Sequence, residues 1–227
     1  MKKLLSNLSG ALVVVLLLSG CSSVSVMESQ FYPAEKKLSP PPKIYVKPYT
    51  FAEGSLRVDR EGEKLQTFQN DVSGQIAERL VHRLTKHIAP ATILPGSDSK
   101  LLKQSWVVEG EFTKINQGSR ALRSILGFGL GGTKMETTTR VYRVGTAKKR
   151  ELVALIRTSG GSNAEPGAIA GGVFGAGPRG ILRAATSGVS PDSRRTARMI
   201  TATLSERLAA DGASLPGPVL RAKRPQK

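Results

Sequence analysis

The chain has 227 residues, enough for one domain with a real core, and its 34 Lys and Arg against 17 Asp and Glu give a net charge of +17. One cysteine excludes an internal disulfide or a cysteine metal cluster, and two histidines leave little material for acid–base or metal chemistry. So basic a chain points to anionic partners: nucleic acid in a cytosol, or phospholipid and lipopolysaccharide headgroups and cell-wall polymers outside it.

The N-terminus selects between these settings. Lys2 and Lys3 precede an apolar run from Leu4 to Leu18, and Leu18-Ser19-Gly20-Cys21 closes it. This is the pattern of a lipobox, with small residues that let a peptidase reach the bond and a thiol that accepts diacylglycerol. Residues 1–20 are expected to be a signal peptide and Cys21 the lipidated N-terminus, carrying palmitate-type acyl chains. The apolar run is shorter than the roughly 20 residues of a spanning helix, and no cationic stop-transfer cluster follows it. Several chains hold a protein stably, since each buried methylene contributes about 0.8 kcal/mol. Ser22, rather than Asp, directs such a lipoprotein in a diderm cell to the outer membrane, facing the periplasm; a monoderm host would place it on the cell surface. Cleavage removes Lys2 and Lys3 and no acid, leaving 207 residues with 32 basic and 17 acidic side chains, or +15. No nucleic-acid partner is expected in that compartment.

Residues 21–43 end in Pro40-Pro41-Pro42, show no sustained period, and read as a lipidated tether. Ile44 to Phe51 is the first strand, with Pro48 placing it at an edge or a bulge. From Glu63 to His87, Leu65, Phe68, Val72, Ile76, Leu80 and Leu84 recur at spacings of three and four, one face of a helix; Arg79, Arg83 and Lys86 lie off that stripe. Thr92-Ile93-Leu94 is a short strand. Trp106 to Ile115 is a long one, with Val108, Gly110, Phe112 and Lys114 on one face and Val107, Glu109, Glu111 and Thr113 on the other. Met135–Val144 and Glu151–Thr158 follow as a hairpin joined through Lys148-Lys149-Arg150. Ser190-Pro191 opens a last helix to about Ala210, striped by Ala197, Ile200, Leu204 and Leu208. The tail, residues 211–227, is rich in proline and cations and is expected to be loose. These elements predict a single α+β domain over 44–210, a mostly antiparallel sheet with two long helices packed on one face.

The motifs favour binding over catalysis. Gly127, Gly129 and Gly132 fit the spacing of a dinucleotide loop, but the stretch after them is β-branched and strand-like, whereas that loop must open a helix. His82 and His87 are five apart, about 140° around a helix, so they cannot share one ion. Glu109 and Glu111 share a strand face with no base or metal partner beside them, and read as solvated residues. No enzyme, no cofactor and no metal site is expected. Gly171 and Gly175 have the small-xxx-small spacing of tightly packed membrane helices, against the simpler reading of a flexible glycine loop.

The segment from Asn116 to Gly129 is the most unusual. The strand Trp106–Ile115, a glycine, Arg120, Arg123, an apolar pair and Gly127-Phe128-Gly129 running into a Thr-rich strand resemble a bacterial family known as the domain of unknown function numbered forty-four ten. The resemblance covers roughly 44–210, with its specific signature at about 110–135, and implies a small lipoprotein or exported protein with an α+β domain; it brings no activity or ligand. The basic tail lies outside that pattern. Arg120 and Arg123 either form an anion- or partner-docking loop or belong to a structural connection in which they pair with Glu109 or Glu111. The expected function is a non-enzymatic, membrane-anchored envelope lipoprotein binding an envelope protein or an anionic lipid or polymer through a basic surface, with Arg120, Arg123, Lys148, Lys149 and Arg150 as candidate residues. The alternative is a structural or pore-like assembly subunit that uses its glycine-rich segments.

Overall fold

The computed structural model describes residues 23–94, 101–116, 133–145, 149–161 and 189–225. Cys21, and with it the expected signal peptide, lies outside them. The elements run β1 Ser23–Phe31, β2 Ile44–Val46, β3 Thr50–Phe51, β4 Leu56–Arg57, α1 Gly62–His87, β5 Ala91–Ile93, β6 Trp106–Asn116, β7 Lys134–Val144, β8 Arg150–Gly161 and α2 Val189–Ala210.

The expected α+β class and both helices hold, but the sheet is mixed rather than mostly antiparallel. Its order is β1-β8-β7-β6-β2-β5, with β3 and β4 also on β6. β1–β8, β8–β7 and β7–β6 are antiparallel, whereas β2, β3 and β4 run parallel to β6, and β5 runs parallel to β2. The physical reason for the β2–β5 pairing is α1. It carries the chain back from the end of β4 to the start of β5, and a strand reached through such a crossover lies parallel to its neighbour. The predicted strand 44–51 is broken at Pro48, which has no N–H to give to β6; β2, β3 and β4 are pieces of one interrupted strand along β6.

Two further expectations are corrected. Residues 23–31 are not tether but the edge strand β1, paired to β8 from Ser23↔Gly161 to Phe31↔Ala154. Its alternation is hidden because a bulge between Val26 and Glu28 shifts the phase after Val24 and Val26 have gone into the core. The tail is not loose either. It runs back over α2: the Leu220 N–H donates to Ser205 Oγ (3.2 Å), the Ala222 N–H to Glu206 Oε1 (2.8 Å), and the Val26 N–H of β1 to Lys223 O (2.7 Å).

The core lies between the sheet and both helices. Phe68, Val72, Ile76, Leu80 and Leu84 of α1 and Ala197, Ile200, Leu204 and Leu208 of α2 are buried against Ile44, Val46, Trp106, Val108, Phe112 and Ile156. The predicted stripes are thus the buried stripes, apart from Leu65, which is only partly covered. In β6 the predicted faces hold through Phe112, where a bulge shifts the register so that Ile115, not Lys114, joins the core. Gly110 faces the helices with the ring of Tyr49 packed directly over it, and the Tyr49 hydroxyl pairs with Thr139 Oγ1 at 2.7 Å. On the opposite sheet face Leu94 and Leu101 pack with Tyr45, Val107 and Val144 in a small second cluster.

Candidate functional site

Most residues singled out from the sequence fall outside the described part: Arg120, Arg123 and Lys148, together with Cys21 and the glycine segments at 127–132 and 167–175. Lys149 is exposed at the turn before β8, its carbonyl accepting the Gly145 N–H at 2.8 Å. Arg150 is not a free surface cation, since its guanidinium is bonded to Glu109, which Lys47 Nζ also meets at 3.0 Å. Glu109 is therefore already neutralised by Lys47, just after β2, and by Arg150 of β8. Glu28–Arg157 (3.1 Å) and Lys134–Glu136 (2.7 Å) likewise cancel charge on the sheet, and the Lys134 bond holds the Glu136 carboxyl below its usual range.

A group of cations without an ion pair among the described residues lies on the two helices. Arg79 and Arg83 stand one turn apart on α1, and Arg194 and Arg198 one turn apart on α2. The two helices pack together, and the other three charges lie near enough to act on Arg83. Burial and then the charges of Arg198, Arg194 and Arg79, in that order, push the Arg83 guanidinium below its usual value. Arg79, Arg194 and Arg198 are exposed and Arg83 is half-buried. Among the described residues none of the four is ion-paired to a carboxylate; Arg198 Nη1 donates to Arg221 O at 3.5 Å, which brings a fifth arginine from the tail to the same side. Arg195, between them in sequence, is engaged with Asp192 at 3.2 Å. Like charges held together this way oppose the fold unless an anion screens them.

The sequence carried half of this signal, in the position of Arg79 and Arg83 off the apolar stripe. It lacked the packing that sets Arg194 and Arg198 against them.

His82 is exposed, whereas His87 is buried with Nδ1 3.0 Å from Pro218 O. Among the described residues no group of three His, Cys, Asp or Glu is placed to hold a metal, and no helix is long and apolar enough to cross a membrane. A depression of about 810 Å³ between β4 and α1 is lined by Asp59, Arg60, Glu61, Glu63 and Lys64, an open site of mixed charge.

Asp192, in the first turn of α2, is the one described carboxylate that burial raises above its usual range, against the opposing effects of the 2.7 Å bond from Thr133 and the charge of Arg195. A raised folded-state pKa means that this group contributes stability below the ordinary carboxylate range and loses it as pH rises through the folded value. Asp192→Asn removes that dependence. In urea melts across mildly acidic pH, the wild-type chain should lose stability relative to Asp192→Asn as pH rises; a difference that stays constant would refute the assignment.

Residues 44–203 match the family described as Domain of unknown function (DUF4410). The chain belongs to the DUF4410 family. That match takes in β2 through most of α2, including all four seam arginines, and leaves out β1 and the tail. A search of curated proteins finds no match. Among solved structures, this DUF4410 protein is similar to a PelC dodecamer from Paraburkholderia phytofirmans, with 12% identity over 77% of this chain and 97% of that one at a TM-score of 0.40. It is also similar to the hypothetical protein CT253 from Chlamydia trachomatis, with 12% identity over 74% of this chain and 98% of that one at a TM-score of 0.36. At these values neither likeness assigns the protein a function.

Proposed function

We propose that this DUF4410 protein is a non-enzymatic, lipid-anchored protein of the cell envelope that binds an anionic envelope component, and that the seam arginines form its basic surface. The observation that carries the reading is that Arg79 and Arg83 on α1 and Arg194 and Arg198 on α2 belong to two helices packed together and have no carboxylate partner among the described residues. Arginine forks accept phosphate and carboxylate in a bidentate way, and four of them on two packed helices are preorganised for a polyanion. The lipobox ending at Cys21 supplies the compartment, where phosphate-bearing headgroups and polymers are the abundant anions. This replaces Arg150 as the residue to test first, because Arg150 is bound to Glu109.

The experiment is binding of the purified lipidated protein to lipopolysaccharide, as a phosphate-bearing probe, over a range of salt. At about 1 kcal/mol per cation, Arg83→Ala with Arg198→Ala should weaken binding roughly thirtyfold at low salt and flatten its salt dependence. Lys149→Ala should change it much less. Binding that ignores both salt and the arginine pair would overturn the proposal.

A further inference from the structure

We infer that the end of the sheet formed by Ser23, Gly161, Lys134 and Asn116 lies against the lipid bilayer, so that the domain stands on its membrane rather than hanging from it. The inference rests on the lipoprotein reading of Cys21 and adds an orientation to it. Ser23 is already in register with Gly161, Gly161 with Lys134, and Lys134 with Asn116, which places these four residues in one row across β1, β8, β7 and β6. Only Ser22 separates Ser23 from Cys21. Two residue steps reach at most about 7 Å, so a thioether-linked lipid at Cys21 holds this row within the headgroup region, and no longer spacer exists to lift it away.

Two further connections meet at the same row. Asn116 and Lys134 flank residues 117–132, and Gly161 precedes residues 162–188. The first contains Leu122, Ile125, Leu126, Phe128 and Leu130 with Arg120 and Arg123 and no acid. The second contains Ile169, Val173, Phe174, Ile181 and Leu182 with Arg179 and Arg183 against one acid, Glu165. Apolar residues beside arginines, with acids nearly absent, is the composition suited to an anionic interface. By contrast, the turn between β7 and β8 lies at the far end of strands about 35 Å long. The bilayer is therefore the occupant that anchor length and composition both select.

The test uses the full lipidated protein in vesicles of phosphatidylethanolamine and phosphatidylglycerol carrying a quencher on the headgroup. Arg57→Cys places a fluorophore beside the row, since Arg57 is exposed and paired with Asn116. Lys103→Cys places one at the other end, where it is exposed beside the start of β6. Cys21 is the only native cysteine, so once lipidated it leaves each introduced thiol as the single labelling site. The mass of the N-terminal peptide is measured on the same preparation. With Cys21 lipidated, most of the emission at position 57 should be lost and almost none at position 103. Equal quenching, or quenching at 103 alone, overturns the orientation while the anchor stands. An unmodified Cys21 removes the anchor itself and the inference with it.

Discussion

Gly110→Ala should destabilise the protein by about 3 kcal/mol, which for a chain of this size lowers the melting temperature by roughly 6–12 °C. A Cβ at Gly110 would fall within the ring carbons of Tyr49. The ring has nowhere to go. Tyr49 is buried, tilts against Phe112 at a centroid distance of 5.5 Å, and is fixed at its far end by the Thr139 bond of 2.7 Å. Its backbone is fixed too, because Ser73 of α1 donates to the Tyr49 carbonyl at 2.7 Å. Burial raises the Tyr49 hydroxyl well above its ordinary pKa, so the group stays a neutral partner for Thr139 at any pH the protein would meet. Displacing the ring strands that hydroxyl and opens a cavity beside Phe112. A double-mutant cycle with Tyr49→Leu isolates the contact: the alanine should cost far less once the ring is gone, and strictly additive losses would refute the account.

The same corner of the fold illustrates what could be read from residues alone. The alternation in β6 gave the faces of Val108, Gly110 and Phe112 correctly, because each side of that strand meets a different environment. It failed after Phe112 because a bulge carries no local residue signature there. The stripes of α1 and α2 were legible for the same reason that they are buried: spacing of three and four is the geometry of one helix face. Among strand partners, only the β7–β8 hairpin was legible. Ile44–Val46 reads as a strand whichever neighbour it takes; the crossover through α1 sets β5 parallel to β2, and β6 comes parallel to β2 only through the separate connection from β5. The site suffered most, since a basic surface depends on which helices touch. Arg79 and Arg194 are 115 positions apart in the chain and lie on neighbouring helices only through packing, whereas Lys148-Lys149-Arg150 is conspicuous in sequence although Arg150 is spent on Glu109.

Composition misled most plainly at the tail, and there the expected effect of a deletion is large. Ending the chain at Gly212 should cost about 2–4 kcal/mol, a loss visible in thermal or urea melts. The segment does more than carry cations. It covers α2, whose Ser205 and Thr203 are as buried as its leucines, and its Leu215 and Ala222 pack on the core. Without it His87 loses the Pro218 carbonyl, Glu206 loses the Ala222 amide and its 2.8 Å pair with Arg224, and the Val26 amide of edge strand β1 is left open. An uncovered edge invites pairing with another chain, so the truncated protein should also aggregate sooner on heating. Gly217→Val tests the same strap with every charge in place, because a Cβ there would collide with the Lys86 carbonyl at the end of α1. If truncation and Gly217→Val both leave the melting temperature unchanged, the tail is a solvated end after all. If both lower it, weaker anion binding by a truncated chain says nothing about the tail's cations, and the arginine substitutions on α1 and α2 remain the proper measure of the basic surface.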